Sequence, residues 1–136
     1  MFVNKVENKN SKFIKIAALL IHAAKIDEDY SDQEEEIIKK TLLELGLAKD
    51  DLLQIIEEAK LIEKNSNQIL DFTREAKSLN EQDKIKIVEA LWKIIYSNKN
   101  ADIYETNLMR RLAGLLYIDS KIMGNIKNRI IKENLK

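Results

Sequence analysis

The chain has no cysteine and no proline in its 136 residues, and only three glycines, one histidine and one tryptophan. Each shortage excludes something. Without thiols there is neither a disulfide framework nor a thiolate metal centre, and with one histidine the other common zinc ligand is almost missing as well. The scarcity of glycine removes glycine-rich phosphate loops. Without proline, helix ends have to be set by capping residues. An excess of charge is absent too: 23 Lys and Arg stand against 23 Asp and Glu, whereas a protein built to neutralise phosphate carries surplus base. Nucleic acid is therefore not an expected partner. The longest apolar stretches, such as residues 16–24, fall well short of the roughly 20 residues that a bilayer-spanning helix needs. Residues 1–10 are polar, unlike a secretory signal. The expected location is the cytoplasm, and any membrane association would be peripheral.

Apolar residues make up 45% of the chain, enough for one domain over 1–136 to bury a core unaided. They recur at helical spacing, as in Phe13, Ile16, Ala17, Leu20 and Ala24, and again in Ile85, Val88, Leu91, Trp92 and Ile95. No stretch alternates as a strand would. The reading is an all-α single compact domain of about seven helices. Ser11 caps a first helix over 12–26, with 1–10 as a flexible arm or helix start. Ser31 and Glu34 form a capping box for a second helix, which ends at Gly46, a residue suited to the left-handed turn of a helix terminus. The third spans 49–63 with Asp50 and Asp51 at its positive end, and the fourth spans 68–77. The fifth opens after Asn80 and runs to 97. Asp102 and Glu105 box the sixth, over 103–117, and the seventh follows Asp119 and Ser120 to 133.

An internal repeat organises these helices. Shifted by 71 positions, Ile14-Lys15-Ile16 falls on Ile85-Lys86-Ile87, Asp27 falls on Asn98, and Ser31-x-x-Glu34 falls on Asp102-x-x-Glu105. Residues 12–56 and 83–127 thus form two copies. Helices one with two and five with six are predicted to make two pseudo-symmetric hairpins, with helices three, four and seven filling the sides.

The least ordinary segment is 27–36, which holds seven carboxylates and no base. A calcium or magnesium ion would offset that crowding, since hard cations take oxygen ligands at about 2.0 to 2.6 Å. The candidate metal ligands are Asp27, Asp29, Glu34 and Glu35. A plainer reading competes: Asp32, Glu34, Glu35 and Glu36 open a helix, where each negative charge is stabilised by about 0.3 to 1 kcal/mol, and Glu34 is engaged as a cap. The segment is not an EF-hand. Counted from Asp27, the sixth position is Asp32 instead of glycine and the twelfth is Ile38 instead of glutamate. The corresponding segment of the second copy offers Asn98, Asn100, Asp102 and Glu105 around Lys99, a degenerate and weaker set.

Catalytic and cofactor-binding residues are not apparent. His22 reads as a packed or half-buried side chain, no serine, histidine and aspartate constellation can be assembled, the chain is not expected to be an enzyme, and the sequence identifies no small-molecule substrate. Of Arg110 and Arg111, one is expected to be buried or paired with a carboxylate and one exposed. Trp92, Tyr96, Tyr104 and Tyr117 are expected to share the core. Basic residues towards both ends, among them Lys121, Lys127, Arg129, Lys132 and Lys136, oppose the acidic segment. The molecule is therefore dipolar, which suits a protein partner or self-association.

These residues carry a resemblance. Ile26-Asp27-Glu28-Asp29-Tyr30-Ser31-Asp32-Gln33-Glu34 and Ser97-Asn98-Lys99-Asn100-Ala101-Asp102-Ile103-Tyr104-Glu105 resemble the two copies of the pattern Ala-Asp-Gly-x-Ile-Ser-x-x-Glu of the TerB family, named for tellurite resistance. Ala17-Ala18-Leu19-Leu20, Glu89-Ala90-Leu91-Trp92 and Arg110-Arg111-Leu112-Ala113-Gly114-Leu115-Leu116-Tyr117 fit that context, and the likeness points to a bacterial branch. It implies a seven-helix fold, a divalent-cation site of acidic residues, and a link to metal or chemical stress. Asp27 and Glu34 would inherit the first acidic pair and Glu105 half of the second. Glu28 and Lys99 replace the family glycine, and Asn98 replaces the second aspartate. Two functional readings follow: a non-enzymatic, cation-responsive module acting through a protein partner, or a metal-independent adaptor or homodimer scaffold.

Overall fold

A computed structural model describes the backbone of residues 2–25, 31–65, 70–97 and 103–134, and the side chains of 11–25, 31–65, 71–96 and 107–133. The chain forms α1 (Phe2–Ala24), α2 (Asp32–Glu44), α3 (Leu52–Asn65), α4 (Leu70–Lys77), α5 (Glu81–Ser97), α6 (Ile103–Leu115) and α7 (Ser120–Asn134). Among the described residues there is no strand, so the all-α architecture of seven helices stands as expected.

Local chemistry accounts for most of the helix ends. The Ser31 hydroxyl accepts the Glu34 amide at 3.2 Å while the Glu34 carboxylate accepts the Ser31 amide at 2.8 Å, which completes the capping box at α2. Asn80 accepts the Asp83 amide at 2.8 Å before α5, and Asp119 accepts the Lys121 amide at 2.8 Å before α7. Asp102, the expected cap of α6, lies outside the described residues. Two expectations are corrected. Ser11 sits inside α1 instead of capping it, because the stretch before it contains no residue that breaks a helix. Residues Lys49–Asp51 form a tighter 3₁₀ turn, and the α-helix begins only at Leu52.

The two halves share more than their opening motifs. α2 ends with Leu47 donating to the Leu42 carbonyl and Gly46 to the Leu43 carbonyl. α6 ends with Ile118 donating to Ala113 and Tyr117 to Gly114, the same Schellman pair 71 positions later. Burial follows the same register. Ile16, Leu20 and Ile21 on α1 and Ile87, Leu91 and Trp92 on α5 are all buried, and so are Leu52 with Ile55 on α3 and Met123 with Ile126 on α7. The third helix therefore belongs to each copy. α1 packs chiefly against α3 and α4, and α5 against α7 and α2, so α3 and α7 are principal packing partners and not the side fillers expected of them.

One position breaks the match. Gly46 holds the left-handed residue of the first motif at φ 108°, but Tyr117 holds it in the second at φ 57°. A residue with a Cβ loses about 1 to 2 kcal/mol there. The tyrosine is 73% exposed and has the Lys77 ammonium 5.1 Å from its ring centre, a contact worth about 0.5 to 1 kcal/mol at the surface. Tyr117 is thus outside the core it was expected to join. Tyr117→Gly is expected to stabilise the protein by roughly 0.5 to 1 kcal/mol net, read as a melting temperature raised by a few degrees. An unchanged or lower value would mean that the ring contact outweighs the backbone cost.

Candidate functional site

Charged side chains gather where α1 stops and α2 starts. α1 delivers His22 in its last turn with Lys25 just beyond it, Ser31 caps α2, which delivers Asp32, Glu34 and Glu35 in its first turn, and α3 passes alongside with Lys60 and Glu63. Opposite charges sit where the helix dipoles favour them, Lys25 at the carbonyl end of α1 and the carboxylates at the amide end of α2.

Glu63 ties this end together. Its side chain is 9% exposed; one oxygen accepts from the Lys25 ammonium at 2.8 Å and the other lies 3.4 Å from His22 Nδ1. Sequence reasoning passed over Glu63, although a signal was there. It continues the inward stripe of Leu52, Ile55, Ile56 and Ala59 as the one charged member, and a carboxylate on a buried stripe needs partners. His22 is half-buried, as expected, with its carboxylate partner now identified.

The candidate metal ligands fall into three groups. Asp27 and Asp29, with Asn98, Asn100 and Asp102 of the second copy, lie outside the described residues, and Glu105 falls in α6 with its side chain outside them. Glu34 is 1% exposed, and its Oε1 accepts both the amide and the hydroxyl of Ser31, at 2.8 and 3.0 Å. Glu35 meets the Lys60 ammonium at 2.9 Å and that of Lys39 at 3.7 Å. With Ser31, Asp32 and Lys60 it lines a cleft of about 180 Å³. The hydrogen bond it donates to Glu35 holds the Lys60 ammonium above its ordinary value, against the opposing effect of burial and with further support from the charges of Glu35 and Glu57. Because that value is raised, the contribution of the pair is complete below the ordinary lysine value and fades only as the pH climbs through the raised one.

Oxygen donors of this kind suit a hard dication, but the described side chains do not complete a site. Among the described residues, no three acidic or histidine side chains converge, and Glu34 is committed to its cap. Asp32 and Glu35 could contribute at the cleft only together with carboxylates of the connecting segment 26–30.

Arg110 and Arg111 are both exposed, and among the described residues neither meets a carboxylate, so the expected buried or paired arginine is not found. The paired arginine is Arg129, whose guanidinium lies 2.9 Å from Glu89 and is held above its ordinary value by that bond. Trp92 is buried and stacks on Tyr96 with ring centres 5.8 Å apart, while the Tyr104 side chain lies outside the described residues. No described helix is long and apolar enough to cross a membrane.

No curated protein and no solved structure matches the chain significantly. The family model for tellurite resistance protein TerB matches residues 13–128, a span that takes in both copies of the repeat and the charged end between α1 and α2. The chain belongs to the TerB family.

Proposed function

We propose that this TerB-family chain is a non-enzymatic helical module that binds calcium or magnesium at the junction of α1 and α2 and acts in metal or chemical stress through a protein partner. The observation that carries the reading is the Lys60 ammonium at 2.9 Å from Glu35, beside Ser31 and Asp32. Its raised value means that this point favours positive charge. The adjoining segment adds Asp27, Glu28 and Asp29 with no base of its own, carboxylates beyond the one that Lys60 and Lys39 already meet. Asp27, Asp29 and Glu35 would hold the ion. Glu34 would align the start of α2 behind them, and bound ion would fix the angle between α1 and α2.

Calorimetric titration of the metal-free protein with calcium and with magnesium tests this. The parent is expected to release or absorb heat and to melt higher at millimolar ion, and the double variant Asp27→Asn, Asp29→Asn to lose both responses. Equal behaviour of parent and variant overturns the reading.

A metal-independent scaffold is supported by a different observation. Leu53 and Leu61 are 67% and 62% exposed on α3, apolar area suited to a second copy or an adaptor partner. Sedimentation of the same metal-free samples separates the two: a concentration-dependent dimer without any ion response favours the scaffold.

A further inference from the structure

The chain has three glycines, and two of them, Gly114 on α6 and Gly124 on α7, line one cavity of about 410 Å³ beside Trp92 of α5. Neither adopts the left-handed backbone that would call for glycine. A Cβ added at either would meet no atom within 4 Å. Glycine inside a helix is disfavoured by about 1 kcal/mol relative to alanine, so conformation and helix packing leave both unexplained. What the two residues provide is space.

The other half of the chain supplies the comparison. In the shared register, Ala113, Gly114, Gly124 and Lys127 correspond to Leu42, Leu43, Leu53 and Ile56. Four large aliphatic side chains in one half are replaced by two glycines, an alanine and a lysine around the cavity in the other. Its walls include Met109 and Met123, which adapt readily to an irregular apolar guest, and its volume lies in the roughly 300 to 1,000 Å³ range of small-molecule sites.

One further observation sets the charge of the guest. Arg110 and Lys127 both line the cavity, no acidic residue does, and among the described residues neither cation meets a carboxylate. Trp92 is 4% exposed, and its indole N–H, without a partner among the described residues, is closed off from the cavity, so the guest would meet the ring. Lys127 stands over the same ring, its ammonium 5.4 Å from the centre.

We infer that this cavity between α5, α6 and α7 binds a free, single-chain amphiphile with a carboxylate head: the chain lies against Trp92, Met109 and Met123, and the carboxylate meets Arg110 and Lys127. The inference is independent of ion binding at the α1 and α2 junction. Trp92 is the sole tryptophan, so its emission reports occupancy directly. The probes are decanoate, below its micelle concentration, and n-decanol, which has the same chain without the charge. Decanoate is expected to give a saturable change in emission, and decanol to bind about tenfold more weakly. Gly124→Leu, which installs the residue of the other half, is expected to weaken decanoate at least tenfold while melting no lower than the parent. Lys127→Ile is expected to bring decanoate close to decanol. The assignment is overturned if decanoate gives no saturable response, if Gly124→Leu titrates like the parent, or if decanol matches decanoate. A change that follows protein concentration instead of decanoate would make a second copy of the chain the occupant and would overturn it equally.

Discussion

Leu91→Ala is expected to lower the unfolding free energy by about 2 to 5 kcal/mol, and Leu20→Ala by a similar amount, since each side chain is fully buried and its removal leaves a cavity. Against a total of about 5 to 15 kcal/mol for a typical domain, either loss is large. The two residues occupy equivalent places on α5 and α1, and those helices pack directly on each other and share α2. The halves should therefore unfold together. Urea denaturation followed by far-ultraviolet circular dichroism and by Trp92 emission is expected to give one midpoint by both probes, shifted equally in either variant. If in Leu20→Ala the tryptophan transition stays where the parent has it while the helical signal moves, the halves are separate cooperative units.

The second large effect is at Glu34. Glu34→Ala removes a carboxylate that is 1% exposed and takes two hydrogen bonds from Ser31, leaving the Ser31 amide without its partner. A loss of about 1 to 3 kcal/mol is expected. Glu34→Gln keeps an oxygen that can accept from that amide, so most of the stability is expected to return, measured by thermal melting of the three proteins side by side. The pair also separates structural work from ion binding. A glutamine variant that melts like the parent and keeps its calcium response confines Glu34 to capping; a weakened response at unchanged stability makes it a ligand as well.

Much of the fold was legible because helix ends are local chemistry. Ser31 with Glu34, Gly46, Asn80 and Asp119 each mark a terminus through atoms a few residues apart, and all of them act where the sequence places them. Tyr117 shows the limit: its left-handed backbone repeats that of Gly46, yet nothing in a tyrosine announces it. Its register with Gly46 does, once the repeat is followed that far. The charged end was legible on α2 and hidden on the other two helices. Glu63 meets Lys25 across 38 positions of sequence, and Lys60 meets Glu35 only because α3 runs beside α2. Pairings of that kind come from packing and leave little local trace. The cavity beside Trp92 was missed for a related reason. Gly114 and Gly124 each look like a tolerated helix glycine, and only when the two helices are brought together do they enclose a common space.

The opposed charges around the first connecting segment have a consequence for how it meets ions. Lys25 faces roughly half an elementary charge of carbonyl dipole at the end of α1, and Asp32, Glu34 and Glu35 face the amides that open α2, where Lys39 and Lys60 meet Glu35. With Glu35 paired to Lys39 and Lys60, much of the long-range attraction of this pole rests on Asp27, Glu28 and Asp29. Added monovalent salt, which shortens the reach of such attraction to about 10 Å at 0.1 M, should therefore slow the cation capture proposed for this pole while leaving the short, partly buried contact of Glu63 with Lys25 in place.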